Sequence, residues 1–155
     1  MMSRHPRQPA TLILALAVLL GLGYVSFSKG ARSYYSLQQA TLEQLERAVA
    51  APQPQPQAWW LYGQRLSEHG RHRHAAAAYA RFLETTPYHR EGRFRCGLAL
   101  AQAGDADAFF AFARDLAYTE PKLAVDLLDR PESRPHLAQP RFQALAQDAR
   151  LHAMD

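Results

Sequence analysis

Residues 59–87 read WWLYGQRLSEHGRHRHAAAAYARFLETTP, and residues 93–121 read RFRCGLALAQAGDADAFFAFARDLAYTEP. Laid over one another, Gly63, Leu66, Gly70, Thr85 and Pro87 fall on Gly97, Leu100, Gly104, Thr119 and Pro121, every pair 34 positions apart. A fixed period of that length marks a helix–turn–helix unit repeated in tandem. Trp59, Gly63 and Leu66 recur at steps of four and three, which places them on one stripe of a helix. Gly63 lacks a Cβ and lets a second helix come close. Gly70 follows the last periodic turn, where a residue tolerant of positive φ ends a helix. The second helix carries Ala75, Tyr79, Phe82 and Leu83 inward and stops at Thr86-Pro87, because proline disfavours a helical residue before it. The second copy runs over residues 91–118. The fold class is therefore all-α.

These residues resemble the tetratricopeptide repeat family. Trp59, Gly63, Ala75, Tyr79 and Pro87 stand where that family places tryptophan, glycine, alanine, an aromatic and proline. Tyr62 and Leu66 depart from its usual leucine and tyrosine. The second copy has Arg93 at the tryptophan position and Cys96 at the leucine position. It also exchanges small and large residues, Phe109 and Ala113 against Ala75 and Tyr79, a swap that preserves summed volume. The resemblance implies a concave groove lined by the first helix of each repeat. It assigns that groove to Trp60, Gln64 and Ser67 in the first copy and to Phe94, Leu98 and Ala101 in the second. The implied partner is another protein, presenting a peptide or a helix. The first repeat looks like those of membrane-tethered repeat proteins that assist bacterial cytochrome c maturation. Assembly or stabilisation of a respiratory or other membrane complex is the role this suggests.

Upstream, residues 8–28 hold 21 positions without a charge. That is long enough for a membrane span over residues 10–28, with residues 1–9 cytoplasmic. The alternative, a cleaved signal peptide, lacks a small-residue cleavage site of the usual kind. Tyr24, Phe27, Tyr34 and Tyr35 suit an interfacial belt, and Arg4 and Arg7 before the span favour an outward-facing remainder. In a bacterium this is a single-pass inner-membrane protein with periplasmic repeats. Residues 1–33 contribute Arg4, Arg7, Lys29 and Arg32 and no acid, which accounts for the whole formal charge of +4. The remainder balances, so no basic face recommends nucleic-acid binding.

Residues 34–51 read as an amphipathic helix with Leu42, Leu45 and Val49 on one side. This stripe either fills the groove or caps the array. Residues 52–57 alternate proline and glutamine and form an extended connector. Residues 58–121 are the two repeats. After Pro121 the period fails, since Pro131 stands at the glycine position, and residues 122–155 read as capping helices.

No sequence pattern supports an enzyme or a cofactor. Phosphate loops, nucleophile elbows and zinc motifs are missing. The tract His69-Gly70-Arg71-His72-Arg73-His74 contains enough imidazole for a metal or haem. Its arginines repel a cation and no carboxylate is interleaved, so a solvated turn is the simpler reading. Cys96 faces the core as a small apolar residue. Three functional classes follow: a groove-binding scaffold, a structural subunit held by its membrane helix, and a histidine-turn metal protein.

Overall fold

The computed structural model describes residues 36–154. The anchor expected over residues 10–28 lies outside them. Among the described residues, no helix is long and apolar enough to cross a membrane. Residues 36–39 belong to a separate N-terminal unit, and the following concerns residues 40–154.

The helix expected over residues 34–51 is divided. Residues 36–38 are helical, residues 39–41 are not, and α1 spans Leu42–Val49. The cause is a capping box: the Thr41 hydroxyl accepts from the Gln44 N–H, and Gln44 Oε1 accepts from the Thr41 N–H at 2.8 Å. Such a pair satisfies orphan donors that an uninterrupted helix would never expose. The connector is shorter than expected, because Pro56 sits in the first turn of the next helix, where its missing N–H costs nothing.

The repeat is visible in the helix bounds. Helices α2 (Pro56–Glu68) and α3 (His72–Thr85) are followed by α4 (Arg90–Gln102) and α5 (Ala106–Thr119), each beginning and ending 34 residues later. Gly70 and Gly104 both adopt positive φ, +69° and +74°. At the first, the Gly70 N–H reaches the Ser67 carbonyl at 3.0 Å and the Arg71 N–H reaches Leu66 at 2.8 Å. That is a Schellman closure, available because glycine has no Cβ to clash.

The expectation that repetition ends at Pro121 is corrected. Helix α6 (Pro121–Leu128) is short, a 3₁₀ turn (Pro131–Ser133) and the single turn α7 (Arg134–Leu137) follow, and α8 (Pro140–His152) begins 34 residues after α5. Buried Phe109, Ala113 and Leu116 of α5 recur as buried Phe142, Ala146 and Ala149 of α8, now 33 apart. Helices α6 and α8 pack on each other and on α5 as a third, irregular pair. Pro131 truncates α6, and two buried polar side chains bind helix-end carbonyls in its place. The Ser133 hydroxyl donates to Leu127 at 2.8 Å. His136 Nε2 lies 2.8 Å from the Ala101 carbonyl and donates to it. Carbonyls in a last helical turn have no partner within the helix, so such donors stabilise the turn.

Two apolar clusters result. Leu66, Ala75, Tyr79, Cys96 and Ala99 centre the first. Phe109, Leu116, Leu127 and Phe142 centre the second. Helix α1 lies on α2 with Leu45 fully buried. Leu45 precedes Tyr79 by 34 positions, so α1 occupies the register of a second helix and closes the N-terminal end of the stack.

Candidate functional site

The six residues that the resemblance assigned to a groove do not form one surface. Trp60 is partly buried among aromatic rings. Its ring centroid lies 5.5 Å from Tyr79, 5.3 Å from Phe82 and 5.4 Å from His89. His89 caps α4, its Nδ1 accepting the Gly92 N–H at 3.0 Å, and its ring also meets Phe82 edge-on. An aromatic packed in this way stabilises the junction between repeats. Gln64 and Ser67 are half-buried. Ser67 stands near the Tyr79 phenol, which burial pushes above its usual pKa, with Ser67 and Arg95 pulling the other way. The Tyr79 hydroxyl nevertheless has no hydrogen bond of ordinary geometry.

In the second copy, Ala101 is buried and its carbonyl is taken by His136. Leu98 is half-buried against the second cluster. Ala101 borders a cleft near His72, and Phe94 lines another. This cleft, of about 660 Å³, lies between α4 and α6, with Phe94 and Leu123 as its apolar floor. Arg90, Glu91, Asp126, Asp129 and Arg130 form its rim. The Arg130 guanidinium sits over the Phe94 ring at 5.9 Å, and Arg90 bridges to Asp126 at 3.1 Å. Both partners of that bridge are more than half exposed, so the pair is weak and a competing charge displaces it readily.

The difference between the two copies has a simple origin. Leu123 follows His89 by 34 positions and stands in place of an imidazole that packs on Trp60. Phe94 is also smaller than Trp60. A cleft therefore borders Phe94 where rings crowd its predecessor. Sequence reasoning missed Leu123 and Arg130. Extending the period past Pro121 reaches Leu123, but Pro131 at the glycine position hid the third pair.

Between Arg65 and Arg95 seven arginines stand against Glu68, Glu84 and Glu91, and most of this charge is paired within the domain. Of these seven arginines, five are ion-paired, and Arg71 and Arg73 remain. The histidine tract is split by the α2–α3 turn. His69 Nδ1 binds the Arg65 carbonyl at 2.7 Å, while His72 and His74 open α3. His72 shares a cleft with Glu132 and His136; His72 Nδ1 and Glu132 Oε2 are buried without a hydrogen bond among the described residues, and Glu132 Oε2 lies 3.9 Å from Arg130 Nε. Among the described residues, no group of three histidine, cysteine or acidic side chains is arranged to hold a metal ion. Cys96 is buried, and burial pushes its thiol up to about 12.

What this arrangement can do is bind. The cleft combines an apolar floor with charged groups of both signs, which suits a helix or extended segment carrying an apolar side chain flanked by charges. Comparison with protein-family models, with curated proteins and with solved structures finds no match to this chain.

Proposed function

We propose that this protein is a membrane-anchored scaffold of the tetratricopeptide type. Its repeat domain holds a partner protein during assembly or stabilisation of a membrane complex, and it performs no chemistry itself. Residues 10–28 are the tether, and the repeats face the bacterial periplasm. The observation that supports the reading best is the contrast between Trp60, packed among aromatic rings, and Phe94, which borders an open cleft. A stack of helical pairs that needed only to fold would gain by filling both, since apolar burial stabilises at about 25 cal/mol per Å². The respiratory or cytochrome-related setting rests on the first repeat's resemblance.

The partner seats an apolar side chain on Phe94 and Leu123 and exchanges charges with Arg90, Asp126 and Arg130. A photo-crosslinking residue placed at Phe94 in the full-length protein, in native membranes, captures a specific protein. Phe94→Ala and Arg130→Glu release it while helicity is retained. Unchanged co-purification with both variants would refute the groove reading. Deleting residues 1–33 discriminates the alternative of a subunit held by its membrane helix: a cleft binder keeps measurable affinity for its partner, and a helix-held subunit loses all of it.

A further inference from the structure

The grooves between successive second helices repeat as the helices do. Ala76, Ala80 and Leu83 of α3 line one of them, and Phe110, Arg114 and Ala117 of α5 line the next, 34 residues on. The second groove, between α5 and α8, is a pocket of about 280 Å³ with Phe110, Ala117, Ala144 and Leu145 as its floor. It lies among second helices, whereas the Phe94 cleft lies between the first helices α4 and α6.

Two features set this pocket apart. Arg114 stands on its α5 wall and Asp148 on its α8 wall, and neither side chain has an ion-pair or hydrogen-bond partner among the described residues. Most of the other arginines of the domain are paired, so an unpaired cation and an unpaired anion facing the same apolar floor is unusual here. The second feature is exposed apolar surface. Among the described residues four large hydrophobic side chains are strongly exposed, and three of them, Tyr118, Leu151 and Met154, lie at the C-terminal ends of α5 and α8. Tyr118 is four residues after Arg114, and Leu151 is three after Asp148, so each shares a face with the charge that precedes it. Elsewhere the exposed side of α8 is mostly polar, with Arg141, Gln143, Gln147 and Arg150.

We propose that a second copy of the chain covers this face in an isologous dimer, with Arg114 of each copy paired to Asp148 of the other. A surface carrying one unpaired charge of each sign beside an apolar patch is complementary to itself under a two-fold axis, where residue i meets j and j meets i. No partner of a different sequence is needed to satisfy it. The residues that line this pocket are not those of the Phe94 cleft, so the proposal rests on different side chains from the scaffold reading and is tested separately.

The test uses the full-length protein in detergent, with mass measured by light scattering and sedimentation. The wild-type protein is a dimer at micromolar concentration. Arg114→Glu or Asp148→Arg alone, each placing like charges across the axis at two symmetric positions, weakens dimerisation by about tenfold or more. The double variant restores it, because the pairs re-form with signs exchanged. Circular dichroism confirms that each variant remains folded, as both positions are at the surface. A monomeric wild-type protein overturns the proposal. So does a dimer indifferent to both single reversals, which would place the contact in another segment, and so does a folded double variant no better than the singles.

Discussion

The guanidinium of Arg93 reaches the Glu120 carboxylate at 2.6 Å from the position that Trp59 holds one repeat earlier. It also contacts Asp115 at 3.1 Å and the Thr119 hydroxyl at 2.6 Å, with its side chain only 10% exposed. A buried arginine is tolerated because both of its terminal nitrogens donate to acceptors, two of them carboxylates. The second repeat thus replaces aromatic packing by a charge cluster that ties α4 to the end of α5 and the start of α6.

Arg93→Ala removes the buried cation but leaves carboxylates that water reaches, since the Asp115 side chain is 67% exposed and that of Glu120 29%. The cost is therefore below that of stranding a fully buried charge, about 2–3 kcal/mol. Urea unfolding shows it as a lower midpoint at unchanged slope. Arg93→Lys recovers only part, because an ammonium does not match the fork geometry. A midpoint shift under about 0.5 kcal/mol would place the cluster among ordinary surface pairs.

Gly63 and Gly97 admit different neighbours. A Cβ on Gly63 would lie 2.8 Å from the ring of buried Tyr79; on Gly97 it would lie 2.5 Å from Leu127 Cδ2 and 3.0 Å from Phe112. Alanine's better helix propensity returns about 1 kcal/mol, less than the overpacking costs. Gly63→Ala is the more damaging, because a fixed ring yields less than the end of a leucine. Adding Leu127→Val to Gly97→Ala recovers stability, and no comparable second change rescues Gly63→Ala. Thermal melts of these three variants check the ranking and the rescue.

Gly70 and Gly104 have open space where a Cβ would go, so their requirement lies in the backbone alone. Alanine at either turn costs about 1–2 kcal/mol through positive φ. Asparagine costs less, since it visits that region more readily. Chemical denaturation of Gly104→Ala and Gly104→Asn gives the comparison. Equal losses would show that something other than φ governs the turn.

Cys96 supplies the pH dependence. Its folded pKa is raised from 9.0 to about 12 by burial, so the folded state holds the proton more tightly than the unfolded chain does. The corresponding stability is fully present below pH 9 and is lost as pH rises towards 12. Cys96→Ala flattens this alkaline slope, at the price of a small cavity. A thiol reagent at neutral pH labels the native protein far more slowly than the unfolded one. Fast labelling of the native protein would contradict the burial.

Much of the helical layout was legible in residues that act on their immediate neighbours. Gly70, Gly104, Pro87 and Pro121 end or start helices through φ and a missing N–H, and these effects need no distant partner. The division at Thr41 escaped, because the Leu42-Leu45-Val49 stripe dominates the pattern while the capping box rests on two side chains. The third helical pair escaped as well. Pro131 breaks the period, and only Ser133 and His136, binding carbonyls 6 and 35 residues away, show how the break is repaired. Of the assigned groove, Phe94 lines the cleft between α4 and α6, whereas Trp60 packs among aromatic rings and Ala101 is buried.

By itself the sequence determined an all-helical chain with a 34-residue period, because a period is a comparison of residues along one strand of text and helix ends are local chemistry. Only the tertiary structure decided which of two equivalent aromatics is ringed by others and which borders a cleft. That outcome depends on the volumes that other helices bring to one place: His89 packs on Trp60, Leu123 leaves room beside Phe94, and Leu127 fills the space at Gly97. Close packing is a property of several side chains at once, and no single residue carries it.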